Sequence, residues 1–242
     1  MGKLIHIVLF CLLFVSCQMK IEPTIDAGID ECQHCTMIIQ NVDQGSVTIT
    51  DEEELSTFCS PVCLILDKNM RKAQTKSSDI YEYLFDHIDN TPIPAQKAYI
   101  VHGDFNSAMG HGLLAFSKEF HAERFAAGVS GEILSWNDLR RQHETPDKYL
   151  EINISKEDNP VVFEVLKDQV VSVTINNSTL QEIKVILTGY DFEVEIPAND
   201  KLIDKLIADK PGQGFVFQDS NSNVLASLIV KGDHTDEEAI YR

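Results

Sequence analysis

Between His143 and His234 the chain has no cysteine, histidine or methionine. That stretch therefore offers no soft metal ligand and no obvious nucleophile, and all the sulfur chemistry falls to the N-terminal part. Basic residues are also scarce. Lys and Arg number 20 against 38 Asp and Glu, a formal net charge of −18 over 242 residues. A body this acidic is repelled by nucleic acid and by anionic lipid heads, and it disfavours anionic substrates. No nucleic-acid partner is expected. The third deficiency is a long apolar run at the N-terminus. Residues 4–14 (LIHIVLFCLLF), interrupted only by His6, have signal-peptide length and are too short to span a bilayer as a stable helix.

The end of that run carries a second signal. Phe14-Val15-Ser16-Cys17 places a small residue directly before a cysteine and resembles a bacterial lipobox, although its leading residue is Phe rather than the commoner Leu. The resemblance implies cleavage after a signal peptide at 1–16, lipidation of Cys17 and a lipidated tether over 17–28. The alternative is an ordinary signal peptide with a chance cysteine. Gln18 is not an inner-membrane retention signal, so the expected location is the periplasmic side of a membrane, the outer one in a Gram-negative cell. Removing 1–16 takes away Lys3 and no acid, leaving the mature chain at about −19.

Apolar residues make up 43% of the chain, enough for one large domain or two ordinary ones. Up to about residue 143 the pattern mixes strands and helices. Residues 37–39, 46–50 (SVTIT), 55–58, 80–85, 98–102, 113–116 and 132–136 read as strands. Ser60-Pro61 is a serine cap with proline at the first helical position, opening a helix over 61–70. A second helix is expected over 118–127, capped by Ser117 and ended by Gly128, and a short third one after Asn137. Residues 90–94 and the glycine-rich 103–112 read as loops. Beyond a boundary at 140–147 the character changes to short β-branched runs at 161–165, 170–176, 183–187, 192–196, 214–218 and 225–230, separated by turn signals. The expected organisation is an α+β domain over 29–143, a small all-β Greek-key sandwich over 150–232, and an acidic tail at 233–242.

Cys11 leaves with the signal and Cys17 is the acylation candidate, so four thiols remain: Cys32, Cys35, Cys59 and Cys63. An extracytoplasmic compartment permits disulfides. Cys32-x-x-Cys35 alone has three readings. A thioredoxin-like pair needs a helix N-terminus to depress the thiol pKa, and here a polar stretch precedes and β-like residues come after. A structural zinc site or a pair of disulfides uses all four cysteines, in the order CxxC, hairpin, helix bearing the last cysteine, as in a treble clef. A Cu(I) site is favoured by the methionines, since thioether suits soft Cu(I) far better than zinc. Met37 lies two residues after Cys35, which on a strand puts both on one face. Met109 sits in a glycine-flanked loop (SAMGHG) suited to presenting its sulfur. For each methionine the bland alternative is core filling.

Asp30-Glu31-Cys32-Gln33-His34-Cys35-Thr36-Met37-Ile38-Ile39 resembles the D-x-C-x-x-C-x-M-x-I opening of the NosL family, copper-binding lipoproteins associated with maturation of nitrous oxide reductase. Phe58-Cys59-Ser60-Pro61-Val62-Cys63-Leu64 resembles the family's F-D-D-x-G-C-M segment, and Lys97-Ala98-Tyr99-Ile100-Val101 its K-A-Y-Y-V strand. Ala108-Met109-Gly110-His111-Gly112 through Ala115-Phe116 is similar to P-M-G-Y-G…A-F, and Gly131-Glu132-Ile133-Leu134 to the closing strand. The resemblance spans roughly 26–140. It implies a metal set of Cys32, Cys35, Met37, Cys63 and Met109. Departures from the family pattern add Cys59 and His111 as local candidates. The implied fold is two ββα-like, treble-clef-like halves.

Residues 163–177 and 210–217 resemble a cupredoxin whose ligand positions are empty, so that part reads as a scaffold or docking module. The resulting expectation is a lipid-anchored Cu(I) carrier, not an enzyme, that hands copper to a protein partner such as nitrous oxide reductase or its assembly complex. The rival is an interaction lipoprotein whose cysteines hold zinc or pair as disulfides. Cys63 near a helix start is expected to have a lowered pKa.

Overall fold

The computed structural model describes residues 21–72, 80–155 and 160–232. The signal segment, the proposed lipidation at Cys17 and the acidic tail lie outside the described residues. Within them, the N-terminal part mixes helices and sheets, and everything from Lys148 onward is β.

The N-terminal part repeats one topology. In its first half, β1 (Ser46–Thr50) lies between β2 (Leu55–Phe58) and β3 (Ile80–Phe85), with helix α1 (Pro61–Arg71) joining β2 to β3. In its second half, β5 (Tyr99–His102) lies between β6 (Leu113–Phe116) and β7 (Glu132–Leu134), with helix α2 (Glu119–Val129) joining β6 to β7. All four pairings are antiparallel. The short strand β4 (Pro92–Pro94) extends the first sheet beside β3, where 90–94 read as a loop. Its prolines fit an edge strand, where one side of the backbone needs no partner. Helix α3 (Trp136–His143) closes this part.

Caps decide the helix boundaries. Ser60 caps α1 as expected, its hydroxyl accepting from the Cys63 N–H at 3.1 Å. Lys68 and Arg71 in the last turn oppose the negative end of the helix dipole. The other two helices differ from expectation. Ser117 does not cap α2; its N–H donates to the buried Asp86 carboxylate at 2.8 Å. Gly128 lies inside α2, and Ser130 ends the helix in the left-handed conformation at φ 52°. Helix α3 is capped by Ser135, not Asn137, in a capping box with Asp138.

The core around the sulfur residues joins Cys32, Cys59 and Cys63 to Phe58, Leu64, Ile65, Leu84, Trp136 and Leu139. A charged network ties it down. Arg140 and Glu144, both nearly inaccessible, pair at 2.6 Å, Lys72 reaches Glu144 at 2.9 Å, and the Trp136 indole N–H donates to Glu82 at 2.8 Å.

The C-terminal part has a three-stranded sheet, β13 (Asp200–Ile207), β10 (Val170–Asn177) and β8 (Lys148–Ile154), with β10 central. Its five-stranded sheet runs β12 (Glu193–Ile196), β11 (Ile183–Leu187), β14 (Gly212–Asp219), β15 (Val224–Lys231) and β9 (Val161–Leu166). Two of these eight strands, β8 and β13, were not apparent from composition. Leu150, Ile152 and Ile154 of β8 and Leu206 of β13 fill the same core as Val173, Ile175, Leu187 and Phe217. Arg140 donates to the Asp168 carbonyl at 2.9 Å, and Lys205 to the Glu144 carbonyl at 2.9 Å, so polar contacts link the two parts.

Candidate metal centre

The four cysteines among the described residues come from three places. Cys32 and Cys35 lie on a turn before β1, Cys59 directly follows β2, and Cys63 is in the first turn of α1. The turn is closed by its own backbone. The Thr36 N–H donates to the Cys32 carbonyl, and the Cys32 N–H to the Met37 carbonyl, each at 2.8 Å. Thr36 adopts φ 61°, a left-handed conformation a β-branched residue rarely takes. Two bonds clip this turn to β2: the Gln33 N–H donates to the Thr57 carbonyl at 2.9 Å, and the Thr57 hydroxyl to the Glu31 carbonyl at 2.9 Å.

This geometry corrects the strand expected at 37–39. Only an isolated bridge, Glu31 with Ile38, forms there. The left-handed Thr36 breaks the alternation that would have put Cys35 and Met37 on one face. Cys35 is half-buried against the core while Met37 is 53% exposed. A thioredoxin-like helix start is likewise not what the pair occupies.

The ligand atoms of Cys32, Cys35, Cys59 and Cys63 all lie within 4.8 Å of one another. Cys59 Sγ is 3.6 Å from both Cys35 Sγ and Cys63 Sγ. Cys59, on sequence grounds a local addition to the family pattern, is therefore a full member of the sulfur group. All four thiols are free. Tetrahedral zinc with Zn–S bonds of ~2.3 Å needs sulfur–sulfur edges of ~3.8 Å, so the group fits a tetrathiolate ion with small adjustments. Thiolate donors suit Cu(I) equally.

The thiols differ in acidity. Cys63 is lowered to about 5, first because the Cys59 thiol hydrogen-bonds to its sulfur, an effect that burial opposes and that Ser60, Cys32 and the nearby His34 reinforce. Cys59 is raised, because its proton is held against the Cys63 sulfur and burial disfavours its charge. Cys35 is raised by burial, a shift opposed by a hydrogen bond from the Met37 backbone. Cys63 is thus the first of these three to ionise. The helix start was expected to set its acidity; the larger cause is the neighbouring thiol.

Met37 and Met109 stand apart from the buried thiols but not from each other. Both line a cleft of about 220 Å³ together with Cys59, Asn41, Gln44 and Ser107. Met109 is 46% exposed and adopts φ 58°, followed by left-handed Gly110 and Gly112. Gly112 has no alternative there: a Cβ would come within 2.1 Å of the Gly103 carbonyl oxygen. A large apolar side chain held in a strained conformation and left half in solvent is not core filling.

His111 is not in the converging group. Its Nδ1 lies 3.1 Å from the Ser60 hydroxyl, the same oxygen that caps the Cys63 N–H. His34 lies between the paired cysteines, and its buried Nδ1 has no hydrogen-bond partner. The sequence held no signal for Thr36; a left-handed residue following CxxC is only legible from the backbone.

A family model, NosL, matches residues 24–144. Among curated proteins none matches the chain. A crystal structure of the copper chaperone NosL from Shewanella denitrificans is similar at 24% identity, covering 48% of this chain and 92% of that one, with a TM-score of 0.38. A solution structure of an apo copper binding protein is similar at 10% identity, covering 36% of this chain and 92% of that one, with a TM-score of 0.31. The blue copper oxidase from Nitrosomonas europaea is similar at 13% identity, covering 36% of this chain and 39% of that one, also with a TM-score of 0.31.

Proposed function

The chain belongs to the NosL family, and from that premise we propose that it is a Cu(I)-binding carrier that passes copper to an acceptor protein. The observation that carries this reading is the donor set. Four free thiols converge on one point, and two half-exposed methionines line a cleft that reaches Cys59. Buried thiolates supply affinity. Exposed thioethers supply a soft surface on which copper enters and leaves by ligand exchange. Nothing in this chemistry requires a covalent step on an organic substrate, and the protein is read as a carrier, not an enzyme.

The ligand set is Cys32, Cys35, Cys63, Met37 and Met109, with Cys59 promoted to full membership by its position between Cys35 and Cys63. His111 is assigned to holding Ser60. We read 29–143 as the metal-binding domain, with its two hairpin–helix–strand halves treble-clef-like, and 150–232 as a Greek-key, cupredoxin-like docking scaffold without copper ligands. Signal cleavage and lipidation at Cys17 would hold the protein on the periplasmic side of the outer membrane. The acceptor is nitrous oxide reductase, its assembly complex or another copper enzyme.

The second reading, a structural zinc tetrathiolate, is favoured by the closed turn at Cys32–Cys35 with its left-handed Thr36. Chelator competition with reduced protein separates the two. The carrier reading expects tight Cu(I) binding weakened by both Cys35→Ser and Met109→Ala. Unchanged Cu(I) affinity in both variants would overturn it.

A further inference from the structure

Building on the copper reading, we infer that each chain carries two adjacent Cu(I) positions, an inner one on the buried thiols and an outer one in the methionine cleft, with Cys59 between them. The count of donors points there first. Cu(I) is filled by roughly two to four soft ligands, and six sulfurs are gathered here. They do not form one shell. Cys32 and Cys63 are each 1% exposed and Cys35 packs against the same core, whereas Met37 and Met109 are 53% and 46% exposed and open to the cleft. An ion enclosed by the buried thiols leaves the two half-exposed thioethers free to hold a second one at the cleft.

Cys59 belongs to both groups: it is 5% exposed within the thiol core, yet it reaches the cleft. Its sulfur is 3.6 Å from Cys35 and from Cys63, and the residue also lines the cleft with the two methionines. The inner ion takes Cys32, Cys35 and Cys63. The outer ion takes Cys59, Met37 and Met109.

Charge balance supports the division. Three thiolates around one Cu(I) carry a net charge of −2, already costly in a buried setting. A fourth thiolate on the same ion would deepen it. In the outer position one Cu(I) enters as one proton leaves the Cys59 thiol, so a thiolate, two neutral thioethers and Cu(I) sum to zero. No electron is transferred, and the copper stays Cu(I). The outer ion is the one exposed for delivery, and the inner ion is retained.

The test is a Cu(I) titration of the reduced protein against bicinchoninate, read by native mass spectrometry and X-ray absorption. The expected result is two Cu(I) per chain, a copper–copper scattering path at full loading, and rapid loss of one equivalent to the chelator with slow loss of the other. The double variant Met37→Ala/Met109→Ala changes only exposed side chains and should bind one Cu(I), lacking the copper–copper path. Cys59→Ser, checked for folding by circular dichroism, should also bind one. Saturation of the unmodified protein at one Cu(I), or two Cu(I) retained by the double variant, would overturn the inference while leaving the carrier reading intact. Failure to bind any Cu(I) would overturn both.

Discussion

Met109 offers a prediction in which backbone strain and metal affinity separate. Its φ of 58° and ψ of 8° lie in the left-handed region, disfavoured for a residue with a Cβ by roughly 1–2 kcal/mol. Partial burial offsets much of this but not through the backbone. Hiding a methionine fully is worth about 1.5–3 kcal/mol, and this one is 46% exposed. Replacing it by alanine removes the thioether and keeps the strain. Replacing it by glycine removes both. Met109→Gly should therefore be about 1 kcal/mol more stable than Met109→Ala in urea unfolding of the reduced, metal-free protein. In chelator competition the two variants should lose Cu(I) affinity to the same extent, by about one to two decades, each decade being ~1.4 kcal/mol. Equal stabilities would refute the strain argument. Affinity retained in either variant would show that the sulfur of Met109 is not a ligand.

Two further outcomes concern the surroundings of the site. Ser60→Ala removes the cap of α1 and should cost about 1 kcal/mol; it also removes a hydrogen bond that helps hold Cys63 near 5, so ultraviolet titration of thiolate in the metal-free protein should show Cys63 ionising at higher pH. Glu144 is held down at about 2 from an ordinary 4.5, because the Arg140 guanidinium and the Lys68 and Lys72 ammoniums outweigh burial. Its folded pKa lies below its unfolded one, so its contribution is complete above about pH 4.5 and fades as pH falls toward 2. At ~1.4 kcal/mol per unit the contribution is roughly 3 kcal/mol. Glu144→Gln should lose a similar amount at neutral pH and show a flatter dependence of urea stability between pH 5 and 3; an unchanged slope would refute it.

Much was legible in the sequence because local chemistry dictated it. Ser60-Pro61 specifies a helix start whatever surrounds it, and β1, β2, β5 and β6 arise from β-branched and apolar runs between turn signals. The family motifs singled out Cys32, Cys35, Met37, Cys63 and Met109 as candidates, and the stretch between His143 and His234, without Cys, His or Met, left the soft ligands to the N-terminal part. Elsewhere tertiary context overrode local preference. Gly128 carries a helix it was expected to end, since Ser130 takes the left-handed position instead. Strands β8 and β13 are recognisable only once β10 stands between them, because polar and charged residues interrupt both runs and β13 leaves Ile203 exposed while Leu206 reaches the core.

The sequence by itself determined the inventory: the four cysteines 32, 35, 59 and 63, Met37 and Met109, an acidic body and the order CxxC, hairpin, helix. It could not order those donors in space. Spacing along the chain placed Met37 beside Cys35, but one left-handed residue, Thr36, turns it out toward solvent. Spacing left Cys59 a local addition to the family pattern, but the register of β1 with β2 and the capped start of α1 bring it to 3.6 Å from two other thiols. Side-chain identity is a property of the sequence; which sulfurs share a shell depends on backbone dihedrals and strand register, which only long-range packing sets.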